Sequence, residues 1–96
     1  MAAVNGLFTY GGRVSKDQAR QRICARVAEL LSEERQRKGM SMTGLAVKAG
    51  LSQPSLSYIE RHLRIPSLDT LLRISDALEI ELGQLIERAT KDIRGS

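Results

Sequence analysis

Apolar residues recur along most of this chain at the three- and four-residue spacing of a helix face, broken at short intervals by glycine, proline and serine. Between Ser15 and Gly39 the stripe is Ile23, Val27, Leu30 and Leu31, and its period predicts a first helix. Ser15 and Gln18 have capping-box spacing, in which the hydroxyl accepts from an orphan N–H and the amide side chain reaches back. Gly39, just after the basic Arg35, Arg37 and Lys38, marks the end of this helix. Ser41 can cap a short second helix, with Leu45, Ala46 and Ala49 inward and Gly50 stopping it. Ser52 can cap a third, from about Gln53 to Arg61, with Leu56 and Ile59 inward. Pro54 is compatible with it because a first-turn N–H has no intrahelical partner to lose.

Ser67, following Pro66, opens a fourth helix with Leu68, Leu71, Leu72, Ile74 and Leu78 available for burial. A fifth runs from about Leu82 to Ile93, with Leu82, Leu85, Ile86, Ala89 and Ile93 on one face. No β-rich stretch and no internal repeat stands between them, so the expected fold class is all-α with five helices. Residues 1–14 differ in character. Gly6, Gly11 and Gly12 flank the short apolar stretch Leu7-Phe8-Thr9-Tyr10, which reads as a flexible leader or arm, an N-terminal extension to one folded domain over residues 15–94.

Composition narrows the chemistry. Phe8, Tyr10 and Tyr58 are the only aromatics, so aliphatic side chains must fill the core. Cys24 stands alone, which excludes an intramolecular disulfide framework and a Cys-based zinc site. One His and one Cys far apart, without a glycine-rich phosphate loop or metal-ligand spacing, leave an enzyme without its parts. No catalytic residue, cofactor, metal or small-molecule substrate is expected. No apolar run reaches membrane-spanning length, and Met1 to Gly12 lacks the features of a secretory signal, so the cytoplasm is the expected compartment. The net charge of +4 is unevenly spread: residues 1–48 hold nine Lys/Arg against four Asp/Glu, and residues 49–96 hold six against seven. A basic half suits an anionic partner such as nucleic acid. The run Arg13, Lys16, Arg20, Arg22 and Arg26 reads as a solvated face rather than a further DNA contact. Cys24, Met40 and Met42 read as packing residues, and His62 as a loop residue.

The informative segment is Met42 to Arg61, where two short helices meet across Gly50-Leu51-Ser52, a turn too tight for an antiparallel pair. With Leu45, Ala49, Leu51, Leu56 and Ile59 buried, the third helix leaves Gln53, Pro54, Ser55, Ser57 and Tyr58 outside. These are short or hydrogen-bonding and none is acidic, which suits base edges and phosphates.

This pattern resembles the helix-turn-helix family typified by phage lambda-type repressors and Cro, the xenobiotic-response-element family. The matching residues are the Arg35-to-Gly39 helix end, Ser41 with Leu45 and Ala46, Gly50-Leu51-Ser52, Ile59-Glu60-Arg61, and Pro66-Ser67-Leu68 with Leu71 and Leu72, so that the resemblance covers about Ile23 to Ile86. It implies a lambda-repressor-like five-helix domain, a recognition helix in the major groove and a transcriptional regulator binding double-stranded DNA. It also implies operators of two-fold symmetry and a homodimer. Base contacts would come from Gln53, Pro54, Ser55, Ser57 and Tyr58. Backbone contacts would come from Ser41, Met42, Thr43, Ser52, Arg61, Arg64 and Ser67, although Met42 stands where many relatives carry Gln. Arg35 and Glu60 match a pair that locks the first helix to the recognition helix. His62 falls where a left-handed glycine is common. The apolar stripe of the fifth helix is longer than a small core needs, which makes Ile86, Ala89 and Ile93 the expected dimer interface. The rival reading is a helix-turn-helix scaffold used as a protein-interaction module, an antitoxin-like partner, for which an exposed apolar patch on the third helix would speak.

Overall fold

A computed structural model describes residues 15–95; the expected leader lies outside them. The described chain is five helices: α1 (Lys16–Arg37), α2 (Met42–Ala49), α3 (Gln53–Glu60), α4 (Leu68–Leu78) and α5 (Leu82–Arg94). The first four starts each follow from a serine side chain, whereas α5 begins after Glu81 without a side-chain cap. Ser15 and Gln18 form the reciprocal capping box, with both hydrogen bonds at 3.0 Å. Ser41, Ser52 and Ser67 accept from the backbone N–H three residues on, at 2.9, 3.2 and 3.1 Å. Each hydroxyl satisfies one of the first-turn donors that a helix leaves unpaired.

Four helix ends share a left-handed residue, at Gly39, Gly50, His62 and Glu79, with φ between 59° and 72°. After each, the next N–H closes a wide turn onto the carbonyl five residues before it: Met40 onto Arg35, Leu51 onto Ala46, Leu63 onto Tyr58 and Ile80 onto Ser75, at 2.8–3.0 Å. Glycine occupies two of these positions and a bulkier residue the other two.

The core is aliphatic, as the scarcity of aromatics requires. Val27, Leu30 and Leu31 of α1 meet Leu45, Ala46 and Ala49 of α2, Leu56 and Ile59 of α3, Ile74, Ala77 and Leu78 of α4, and Leu82 and Ala89 of α5. One predicted face comes out rotated. On α4 the buried stripe is Ile74, Ser75, Ala77 and Leu78, with Leu71 at its edge, while Leu68 and Leu72 are exposed. The small Ser75 and Ala77 let α4 approach its neighbours closely, and the Ser75 hydroxyl is satisfied by donating to the Leu72 carbonyl at 3.1 Å.

On α5, Ala89 has no exposed surface at all. It belongs to the core of the single chain, where α5 lies along α1, and not to an interface with a second copy. Ile86 is exposed and Ile93 half-buried. Arg26 also departs from the expected solvated face. Its Nε donates to Asp92 on α5 at 2.9 Å, and its Nη1 reaches Glu29 at 3.1 Å and Glu33 at 3.4 Å, which ties α1 to α5. Among the described residues no helix is long and apolar enough to cross a membrane, and no group of side chains could hold a metal ion.

Candidate nucleic-acid interface

The site is built on the α2–α3 turn. Gly50 sits at φ 72°, a conformation that disfavours any residue carrying a Cβ. It lets the chain reverse within three residues while Ala46 and Ala49 on one side and Leu56 and Ile59 on the other stay buried. Half-buried Leu51 fills the angle between the two helices.

The far end of α3 is tied to α1. Arg35 Nε donates to Glu60 Oε2 at 2.8 Å and Nη2 to Oε1 at 3.0 Å, a two-pronged ion pair whose side chains keep only 13% and 10% of their surface exposed. The hydrogen bond to Glu60 holds the Arg35 guanidinium above its ordinary pKa. Arg35 Nη1 donates to the Met40 carbonyl at 2.8 Å, and the Ser32 hydroxyl donates to Glu60 Oε1 at 3.0 Å. Every lone acceptor and donor of the pair that faces inward is thereby used, as a desolvated charge pair requires. Sequence reasoning missed Ser32; its position one helical turn before Arg35 was the available signal.

With Glu60 turned onto Arg35, the outward face of α3 keeps no carboxylate. Gln53 and Pro54 are exposed at its start, Ser55 and Ser57 half-buried, and Tyr58 is 38% exposed. Ser52 caps the helix and its hydroxyl also donates to the Ser55 hydroxyl at 2.8 Å. Arg61, the residue that ends the helix, places its guanidinium carbon 5.9 Å from the Tyr58 ring centre. Arg64 places its own 5.1 Å from the same ring, and its Nη1 lies 3.5 Å from the Ser55 hydroxyl. That clustering of two arginines about one aromatic ring was not legible in the sequence, because it depends on the path of the loop after α3.

The remaining predicted residues flank this face. Ser41, Thr43 and Ser67 are exposed, and the two serines are engaged as caps of α2 and α4. The Met42 side chain, expected among the backbone contacts, stands at the start of α2. It packs half-buried against the core, and its sulfur accepts from Gln53 Nε2 at 3.3 Å. A thioether has no hydrogen to give a phosphate; here it orients Gln53 instead. His62 takes φ 61° in the position expected to be left-handed, with its Nε2 3.8 Å from Glu29 of α1.

A protein-family model described as helix-turn-helix matches residues 31–85, the stretch that contains this turn, both short helices and the ion pair. The chain belongs to the helix-turn-helix family. The likeness to lambda-type regulators read from the sequence is borne out. Among curated relatives, the HTH-type transcriptional regulator SlrR of Bacillus subtilis (strain 168) is 38% identical over 65 residues, 67% of this chain and 43% of SlrR. The HTH-type transcriptional regulator SinR of the same organism is 34% identical over 62 residues, 64% of this chain and 56% of SinR. This helix-turn-helix chain thus aligns with about half of the length of those relatives or less. Among solved structures, a mutant of the restriction–modification controller protein C.Esp1396I superposes with a TM-score of 0.68 at 30% identity, over 74% of this chain and 92% of that one. The five-helix all-α architecture is therefore shared with a controller protein of similar extent.

Proposed function

We propose that this chain is a cytoplasmic, sequence-specific, double-stranded-DNA-binding transcriptional regulator that acts as a homodimer on a two-fold symmetric operator. The observation that carries the reading is the outward face of α3. Its single carboxylate, Glu60, is turned inward onto Arg35, and what remains outside is Gln53, serine hydroxyls, Tyr58 and two arginines. Donors and cations without a competing anion suit base edges flanked by phosphates. The protein-interaction alternative would need an apolar patch on α3, and the exposed aliphatics of the described residues, Val47 and Leu63 together with Ile65, Leu68, Leu72 and Ile86, all lie outside that helix. Relatives named as transcriptional regulators and a controller protein of the same fold support the same reading.

Those exposed aliphatics favour the dimer. Ile65, Leu71 and Ile86 line an apolar cleft of about 160 Å³ between α1, the α3–α4 loop, α4 and α5, and Leu68 and Leu72 stand exposed on the same helix as Leu71. Ile65, Leu68, Leu72 and Ile86 are 71%, 62%, 44% and 38% exposed. Together they leave on the order of 400 Å² of apolar surface, most of the apolar share of the ~800 Å² per partner in a standard interface. A second copy is the occupant that fits, because one recognition helix makes too few base contacts to single out an operator.

Selection of bound sequences from a random DNA pool tests the reading. The expected product is a two-fold symmetric sequence with half-site centres one or more turns of about 34 Å apart, and Gln53→Ala should weaken its binding by about 1–3 kcal/mol. A pool that emerges without an enriched sequence would refute it.

A further inference from the structure

Arg64 lies beyond the recognition helix, in a loop, where the resemblance assigns it a phosphate. Its geometry is different. The guanidinium sits against the Tyr58 ring at 5.1 Å and reaches the Ser55 hydroxyl at 3.5 Å. Ser55 and Tyr58 are one helical turn apart on α3, so the group lies along the helix surface and not on its flank. A guanidinium beside an aromatic ring is held by cation–π attraction and by stacking of its plane. Arg61, against the same ring at 5.9 Å, adds a second positive charge and leaves the nearby phosphates a cation of their own.

We propose that Arg64 is a specificity-determining residue that reads a guanine in the major groove, held in reading position by Tyr58. A guanidinium presents two parallel donors in a fixed plane that match the O6 and N7 acceptors of guanine, whereas a lysine can reach the same acceptors only with a flexible ammonium that has no plane to stack on Tyr58. Tyr58 is then a positioning residue for Arg64, whatever base contact its own hydroxyl makes. This assignment rests on the DNA-binding reading above and adds to it a base preference at one position of each half-site.

Random-pool selection and equilibrium binding with the full chain separate the two roles of Arg64. The wild type should enrich a guanine that Arg64→Ala no longer enriches, with the other positions kept. Exchanging that G·C pair for A·T should weaken the wild type about 5- to 150-fold and Arg64→Ala by no more than about twofold. Arg64→Lys should keep the salt dependence and weaken the guanine preference without abolishing it. Tyr58→Phe, which keeps the ring, should retain the preference, and Tyr58→Leu should lose part of it. The inference is overturned if Arg64→Ala enriches the same sequence as the wild type, weakens all DNA alike and lowers the salt slope by about 1, the signature of a phosphate contact. A wild type that enriches no sequence overturns the DNA-reading itself and this inference with it.

Discussion

Arg35 and Glu60, 25 residues apart in sequence, meet through two parallel hydrogen bonds of 2.8 and 3.0 Å that fasten the end of α3 to α1. Glu60→Ala leaves Arg35, 87% withdrawn from solvent by its side-chain exposure of 13%, with the Met40 carbonyl as its remaining acceptor. Breaking a desolvated pair from one side costs about 3 kcal/mol or more, which in a domain of this size lowers Tm by over ~10 °C. A thermal melt followed by circular dichroism checks it; an unchanged midpoint would show that the pair contributes little. The Arg35→Ala, Glu60→Ala double variant should recover part of the loss, since neither charge is then stranded.

Two of the left-handed helix ends predict opposite responses to exchange. Gly50→Ala forces a Cβ onto φ 72°, with Arg73 Nη1 3.1 Å from the new atom. Arg73 can swing aside, so the backbone strain, about 1–2 kcal/mol, sets the loss of stability. Glu79 at φ 59° already bears that strain at the end of α4, and its exposed contact with Lys48, at 4.0 Å, adds little to oppose it. Glu79→Gly should therefore raise stability by roughly 1 kcal/mol. Urea titrations of both variants with equal m-values measure the two changes, and the same sign for both would contradict the account.

The apolar face of α4 and α5 is tested apart from the core beneath it. Leu72→Asp and Ile86→Asp, both at exposed positions, should give monomers in sedimentation equilibrium at concentrations where the wild type is dimeric. Ala89→Leu acts inside the chain: with no space at a fully buried alanine, overpacking should cost about 1–3 kcal/mol. Dimers that survive both aspartate variants would remove this face as the interface.

The helices, caps and turn were legible because each is a local matter. A serine three residues before a free N–H or an apolar period of 3.6 is written in adjacent residues, and all five helices start within a residue or two of their signals. What was not legible depends on how helices rotate against one another. The α4 stripe admits two faces, one through Leu68 and Leu72 and one through Ile74, Ala77 and Leu78, and the tighter approach allowed by Ser75 and Ala77 selects the second. Ala89 falls on the apolar stripe that was expected to meet a second copy, yet the packing of α5 along α1 closes over it within the single chain. The contact between the Met42 sulfur and Gln53 joins two helices eleven residues apart in sequence, which no local pattern announces. The placement of Arg64 follows from a loop whose course no periodicity encodes.

Arg26 and Arg35 fasten the same uninterrupted helix to two different neighbours, α5 through Asp92 and α3 through Glu60. The nine residue steps from Arg26 to Arg35 make two and a half turns over about 13 Å, so the ties leave α1 on opposite sides. Inserting or deleting a single residue there would swing one tie about 100° away from its partner. α1 is in this sense a gauge of fixed length and phase between the surface proposed to meet a second copy and the helix proposed to meet DNA. On the proposed dimer, a change in the operator spacing accepted by descendants of this chain would have to come from moving a tie or reshaping the α4–α5 face, because a single-residue change in the shaft between the ties would break its phase.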